Sequence, residues 1–164
     1  MSKQAKQVMQ APPLTTKIQV NEADFDAGDE IALLQSDNLD DGAVVTFTGR
    51  VRKQNEGQQV TGLFLEHYPA MTERSLANIV EQARAKWQIN RVTVIHRVGQ
   101  LSLGDNIVFV GVTSAHRTDA FHAAEFMMDY LKVEAPFWKK ETRHDGDVWI
   151  DARQSDQKKA IAWS

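Results

Sequence analysis

Cysteine is absent from this 164-residue chain. That excludes a thiolate nucleophile, a zinc–thiolate site and a disulfide staple. Whatever chemistry the chain performs uses no thiol of its own. An excess of positive charge is also missing, since the formal net charge is −3. This argues against general binding of nucleic acid or of a membrane surface, yet leaves room for a local basic pocket. No apolar run approaches the ~18 residues that span a bilayer. The opening MSKQAKQVMQAPPLTT has no apolar signal-peptide core, so a cytoplasmic location is expected. There is no Gly-x-Gly-x-x-Gly, no Gly-Lys-Ser/Thr and no His-Glu-x-x-His. His67, His96, His116, His122 and His144 show no metal-ligand spacing, so no metal site is expected.

What is there reads as an ordinary globular protein. A 42% hydrophobic, 25% charged chain of this size can bury its own core. A tail over 1–14 and one domain over 15–164 are expected. Strands are expected at Lys17–Val20, Ala43–Arg52, Val60–Tyr68, Arg91–Val98 and Ile107–Thr113. Ala43–Arg52 and Val60–Tyr68 read as hairpin partners around a polar loop, and Ile107–Thr113 as a strand buried on both faces. Helices are expected at Asp26–Gln35, at Thr72–Trp87 with Thr72 as N-cap, and from Thr118 as N-cap to about Val133. Asp145-Gly146 is a hairpin signal joining Lys140–His144 to Val148–Ala152. Ser155 starts a last short helix. The element order gives an α+β fold with a mostly antiparallel sheet.

Cations gather around the helix that follows Thr118. His116 and Arg117 precede its start, where backbone N–H groups already favour anions. Lys132 lies in its last turn, and Lys139 and Lys140 follow Pro136-Phe137-Trp138. Each also has a plainer explanation: a solvated pair in a loop, a lysine stabilised by the helix dipole, a stem packed on tryptophan. Arg50 and Arg52 share one strand face with two threonines, the pattern of a solvated sheet face. A helix rising 1.5 Å per residue holds His116 and Lys132 roughly 24 Å apart. One small substrate does not bridge that distance. Either the two ends serve different sites, or a two-fold dimer brings one chain's His116-Arg117 to the other chain's Lys132.

The segments DGAVVTFTGRVR (Asp41–Arg52), LEHYPAMTE (Leu65–Glu73), RVTVIHRVG (Arg91–Gly99), GVTSAHR and YLKVEAPFWKKE closely resemble the large, catalytic subunit family of molybdopterin synthase. The resemblance implies an α/β-hammerhead fold with an additional small β subdomain. It implies a sulfurtransferase of molybdenum cofactor biosynthesis that converts cyclic pyranopterin monophosphate into molybdopterin. The sulfur would arrive as the C-terminal thiocarboxylate of a small, ubiquitin-like sulfur-carrier subunit. A homodimer of large subunits, with one carrier each, would form a heterotetramer. No cofactor would be bound by this chain. Carried over residue by residue, Lys132 and Lys139 match catalytic lysines. Arg50, Val51, Arg52, His116, Arg117, Lys140, Glu141 and Arg153 match substrate-binding positions. Arg50 and Lys140 stand where the family also shows the other basic residue, which favours charge over fixed geometry there. A non-catalytic docking module for a ubiquitin-like partner is the alternative reading.

Overall fold

The computed structural model describes residues 14–150 and 154–164. The chain runs β1 (Thr15–Asn21), α1 (Ala27–Gln35), β2 (Ala43–Arg50), β3 (Gln54–Asn55), β4 (Gln58–His67) and α2 (Met71–Lys86). It continues through β5 (Arg91–Arg97), β6 (Gly99–Ser102), β7 (Asn106–Ser114), α3 (Arg117–Glu134), β8 (Phe137–Arg143), β9 (Gly146–Ile150) and α4 (Gln154–Ile161). No helix among the described residues is long and apolar enough to cross a membrane.

The strands divide into two sheets. The first has the order β1-β5-β7-β2, with β1 parallel to β5 and the other pairs antiparallel. The near-continuous apolar run of β7 explains its interior place, because it packs on both sides. Val108, Val110 and Val112 join the main core under α2 and α3. Phe109 packs with Leu34 and Ile95 on the α1 side. Gly111 lies on that side too: a Cβ there would sit 2.5 Å from the Leu34 Cδ1.

The second sheet runs β3-β4-β8-β9, with β6 on the free edge of β4. Its small core is Val51, Leu63, Leu65 and Leu101. Ile107 touches this core and the main one, so it ties the two sheets together. The α+β class and the antiparallel bias follow the sequence reading.

Several local expectations differ. β2 pairs with β7 rather than with β4. The connector makes its own tight hairpin instead, Gln54↔Gln59 and Asn55↔Gln58, around Glu56 (φ 51°) and Gly57 (φ 77°). That turn starts only after Arg52 and sends β4 into the second sheet. Thr72 is not the cap of α2. The helix starts from Ala70 (φ 69°), and the Thr72 hydroxyl donates back to the Tyr68 carbonyl at 2.8 Å. Thr118 does not cap α3 either, because His116 holds the N-cap position without a side-chain bond. Asp145 does sit in the β8–β9 turn, but both strands begin earlier than expected, with Arg143 opposite Gly146, and the expected end at Ala152 lies outside the described residues. Ser155 falls inside α4, which begins at Gln154.

Candidate active site

The two sheets and the C-terminal end of α3 enclose a cavity of about 500 Å³. The end of β2 and the residues after it supply Arg50, Val51 and Arg52. The last turn of α3 supplies Lys132, and β8 supplies Lys139 and Glu141. Six of the ten residues expected from the sequence thus line one volume. Leu63, Leu65 and Ile107 give it an apolar floor, against which cationic side chains act with little competing water.

Strand alternation sorts the three residues of β8. Lys139 lies opposite Leu65 and Glu141 opposite Leu63, on the cavity face. Lys140 lies opposite Phe64 and Trp149, on the other face. There its ammonium sits 5.1 Å from the Phe64 ring centre, 5.3 Å from that of Trp149 and 3.9 Å from the Asp147 carboxylate. Lys140 is therefore not part of the cavity wall.

His116 and Arg117 are exposed at the opposite end of α3 and do not line the cavity. The continuous helix from Arg117 to Glu134 keeps them roughly 24 Å from Lys132 by its rise. Arg153 lies outside the described residues. Among the described residues, no three His, Asp or Glu side chains group closely enough to hold a metal ion.

The arginines are tethered differently. Arg50 donates through Nε and one terminal nitrogen to the Gly104 carbonyl, at 3.2 and 2.9 Å. A backbone bond from Val51 N to the Asp105 carbonyl at 2.9 Å fixes the strand beside it. Arg52 donates to the side-chain oxygen of Asn55 at 3.3 Å. Glu141 is only 1% exposed. It accepts from the Asn55 amide and, at 3.0 Å, from Arg143 Nε. Such bonds offset the large cost of burying a carboxylate.

Four polar cavity residues lie outside the set expected from sequence, Thr48, Asn55, His96 and Asp156; two of them are buried, Asn55 at 7% exposed and His96 at 5%. His96 stacks on Phe137, with centroids 3.8 Å apart and planes 18° apart. Its Nδ1 lies 2.8 Å from the Arg97 carbonyl. A carbonyl only accepts, so Nδ1 carries the proton and Nε2 keeps a lone pair. Burial pushes the imidazole down from 6.5 to about 4; its bond to Arg97 works against this, while Lys132 and His67 add to it. The cavity thus contains a neutral acceptor near the Lys132 ammonium. The sequence showed only a polar loop around Asn55, and spacing carried no hint of His96.

The arrangement can hold an anion and stabilise negative charge that develops on a bound acyl or thioacyl group. Residues 20–134 match the model of the MoaE protein family. The chain is 57% identical over 148 residues to the "Molybdopterin synthase catalytic subunit" of Escherichia coli K12, covering 90% of this chain and 98% of that one. In structure it resembles the molybdopterin biosynthesis MoaE protein of Burkholderia ambifaria, with TM-score 0.77, 45% identity and coverage of 91% and 98%. It shares its fold with a chain from a protein–protein complex of subunits 1 and 2 of molybdopterin-converting factor from Helicobacter pylori, with TM-score 0.67, 21% identity and coverage of 84% and 91%.

Proposed function

The chain belongs to the MoaE protein family, and on that premise we propose how its cavity works. Its function is that of a molybdopterin synthase catalytic subunit in molybdenum cofactor biosynthesis, a sulfurtransferase that turns cyclic pyranopterin monophosphate into molybdopterin. The observation that carries the mechanism is the meeting of Arg52, Lys132 and Lys139 in one cavity of a chain without cysteine. Sulfur must come from a partner, and the thiocarboxylate at the C-terminus of a small ubiquitin-like carrier subunit meets that need.

In this reading Arg50, Val51 and Arg52 hold the substrate's phosphate and pterin edge. Lys132 stabilises the attack of the thiocarboxylate and the tetrahedral intermediate after it. Lys139 moves protons as the ring opens. Glu141 belongs to the same substrate run on β8. Of the remaining matched residues, His116, Arg117 and Lys140 act from outside this chain's cavity wall. His116 and Arg117 reach the substrate from a second copy in a homodimer, which with two carriers makes a heterotetramer. Lys140 contributes by its charge from the other face of β8, and Arg153 matches a residue of the anion site. Residues 15–164 act as one catalytic domain of the α/β-hammerhead type, in the cytoplasm, with no cofactor of their own.

Replacing Lys132 by alanine tests the mechanism. The variant should fold, bind the carrier and make no dithiolene from cyclic pyranopterin monophosphate and thiocarboxylated carrier. Loss of one such oxyanion-type donor costs about 10²–10³ in kcat or more. Turnover near that of the unaltered protein would overturn the assignment.

A further inference from the structure

Asn55 sits between an acceptor-only group and a donor-only group. Its amide nitrogen donates to the Glu141 carboxylate, and its amide oxygen accepts from Arg52 at 3.3 Å. A carboxylate cannot donate and a guanidinium cannot accept, so only one orientation of the amide satisfies both. Asp at this position would set two carboxylates against each other. Ser would be too short to bridge, and an apolar residue would leave Glu141 short of a partner. The far side of the chain is anchored as well, because Arg143 Nε donates to the second Glu141 oxygen at 3.0 Å.

The backbone is shaped to deliver this amide. β3 is only two residues long, and its turn requires positive φ at both Glu56 and Gly57. Glutamate adopts that conformation only against the clash of its Cβ with the following carbonyl. The hairpin buries little apolar surface in return. What it puts inside is Asn55, 7% exposed, against the fully enclosed Glu141.

We propose that Asn55 is a positioning residue, which together with Glu141 and Arg143 aims the Arg52 guanidinium at the anionic group of the substrate. This rests on the reading of the cavity as the pterin-phosphate site. Glu141 then serves by fixing Asn55 rather than by touching the substrate. The bond to Asn55 uses one of five N–H donors of Arg52, so the rest of the fork is oriented without being consumed.

A double-mutant cycle tests it, with the full chain, thiocarboxylated carrier and cyclic pyranopterin monophosphate. Asn55→Ala should raise KM for the pterin about tenfold, the scale of one charge-assisted hydrogen bond, while kcat changes less than about twofold. Arg52→Ala should raise KM at least as much. If Asn55 acts through Arg52, the double variant should be no worse than Arg52→Ala alone. An unchanged KM in Asn55→Ala, or effects that multiply in the double variant, would overturn the proposal and leave the cavity reading intact. If Arg52→Ala itself left KM unchanged, the anion role of Arg52 would fall, and the proposal with it. Should Asn55→Ala not fold, Asn55→Asp keeps the volume and should raise KM in the same way. Failure of both to fold would assign Asn55 to the scaffold alone and overturn its positioning role.

Discussion

At the scale of the residue, His96 shows what burial does that sequence spacing does not reveal. Stacked on Phe137 and only 5% exposed, it stays neutral at pH 7, although an exposed histidine would be partly charged. The unfolded chain takes up a proton near pH 6.5, and the folded chain near pH 4. Stability from this group is full above pH 6.5 and falls as the pH drops towards 4, by about 3 kcal/mol in all. An NMR titration of the His96 ring should give a midpoint near 4. A midpoint close to 6.5 would mean the stack opens to water. Of the basic residues carried over by the resemblance, Arg50, Arg52, Lys132 and Lys139 do converge, although the strand pattern alone reads the two arginines as a solvated face. Lys140 was not separable from Lys139 in the sequence, because only the strand's register puts one in the cavity and its neighbour between Phe64 and Trp149.

At the scale of the element, the strongly patterned segments were readable and their pairings were not. β7 could be recognised as doubly buried from its composition. The partner of β2 could not, because a short polar loop says nothing about which sheet the next strand joins. Caps also misled: Thr72 and Thr118 have the right chemistry, but the turn at Pro69-Ala70 and the extended His116 start both helices earlier. Gly111 lets α1 lie close on β7. Gly111→Ala would drive a methyl into Leu34 and Phe109 and should cost about 1–3 kcal/mol by overpacking. Urea denaturation measures it, and an unshifted midpoint would show that α1 moves aside freely. Since α1 is on the face away from α3, turnover per folded molecule should not change.

At the scale of the whole molecule, α3 acts as a spacer. Its length separates Lys132 from His116 and Arg117, so a pocket using all three needs two copies. Mixing Arg117→Ala chains with Lys132→Ala chains tests this. Each mixed dimer would contain one intact site and one doubly altered site, and should regain about half the activity of an unaltered dimer. No recovery would mean that each chain works alone. The helix length was legible from sequence; the two-sheet enclosure around Lys132 was not, since it depends on contacts between segments far apart in the chain. One further consequence lies at the opposite edge. β1 pairs along β5 from Thr15↔Arg91 to Asn21↔Arg97, although the family match begins only at Val20. Beneath it lies Val-Thr-Val-Ile, a short run rich in β-branched residues and without charge. Uncovered, such an edge is a template on which further chains can add as strands. The first strand covers that run and becomes the sheet's edge in its place, presenting Lys17 and polar residues that make a poorer template.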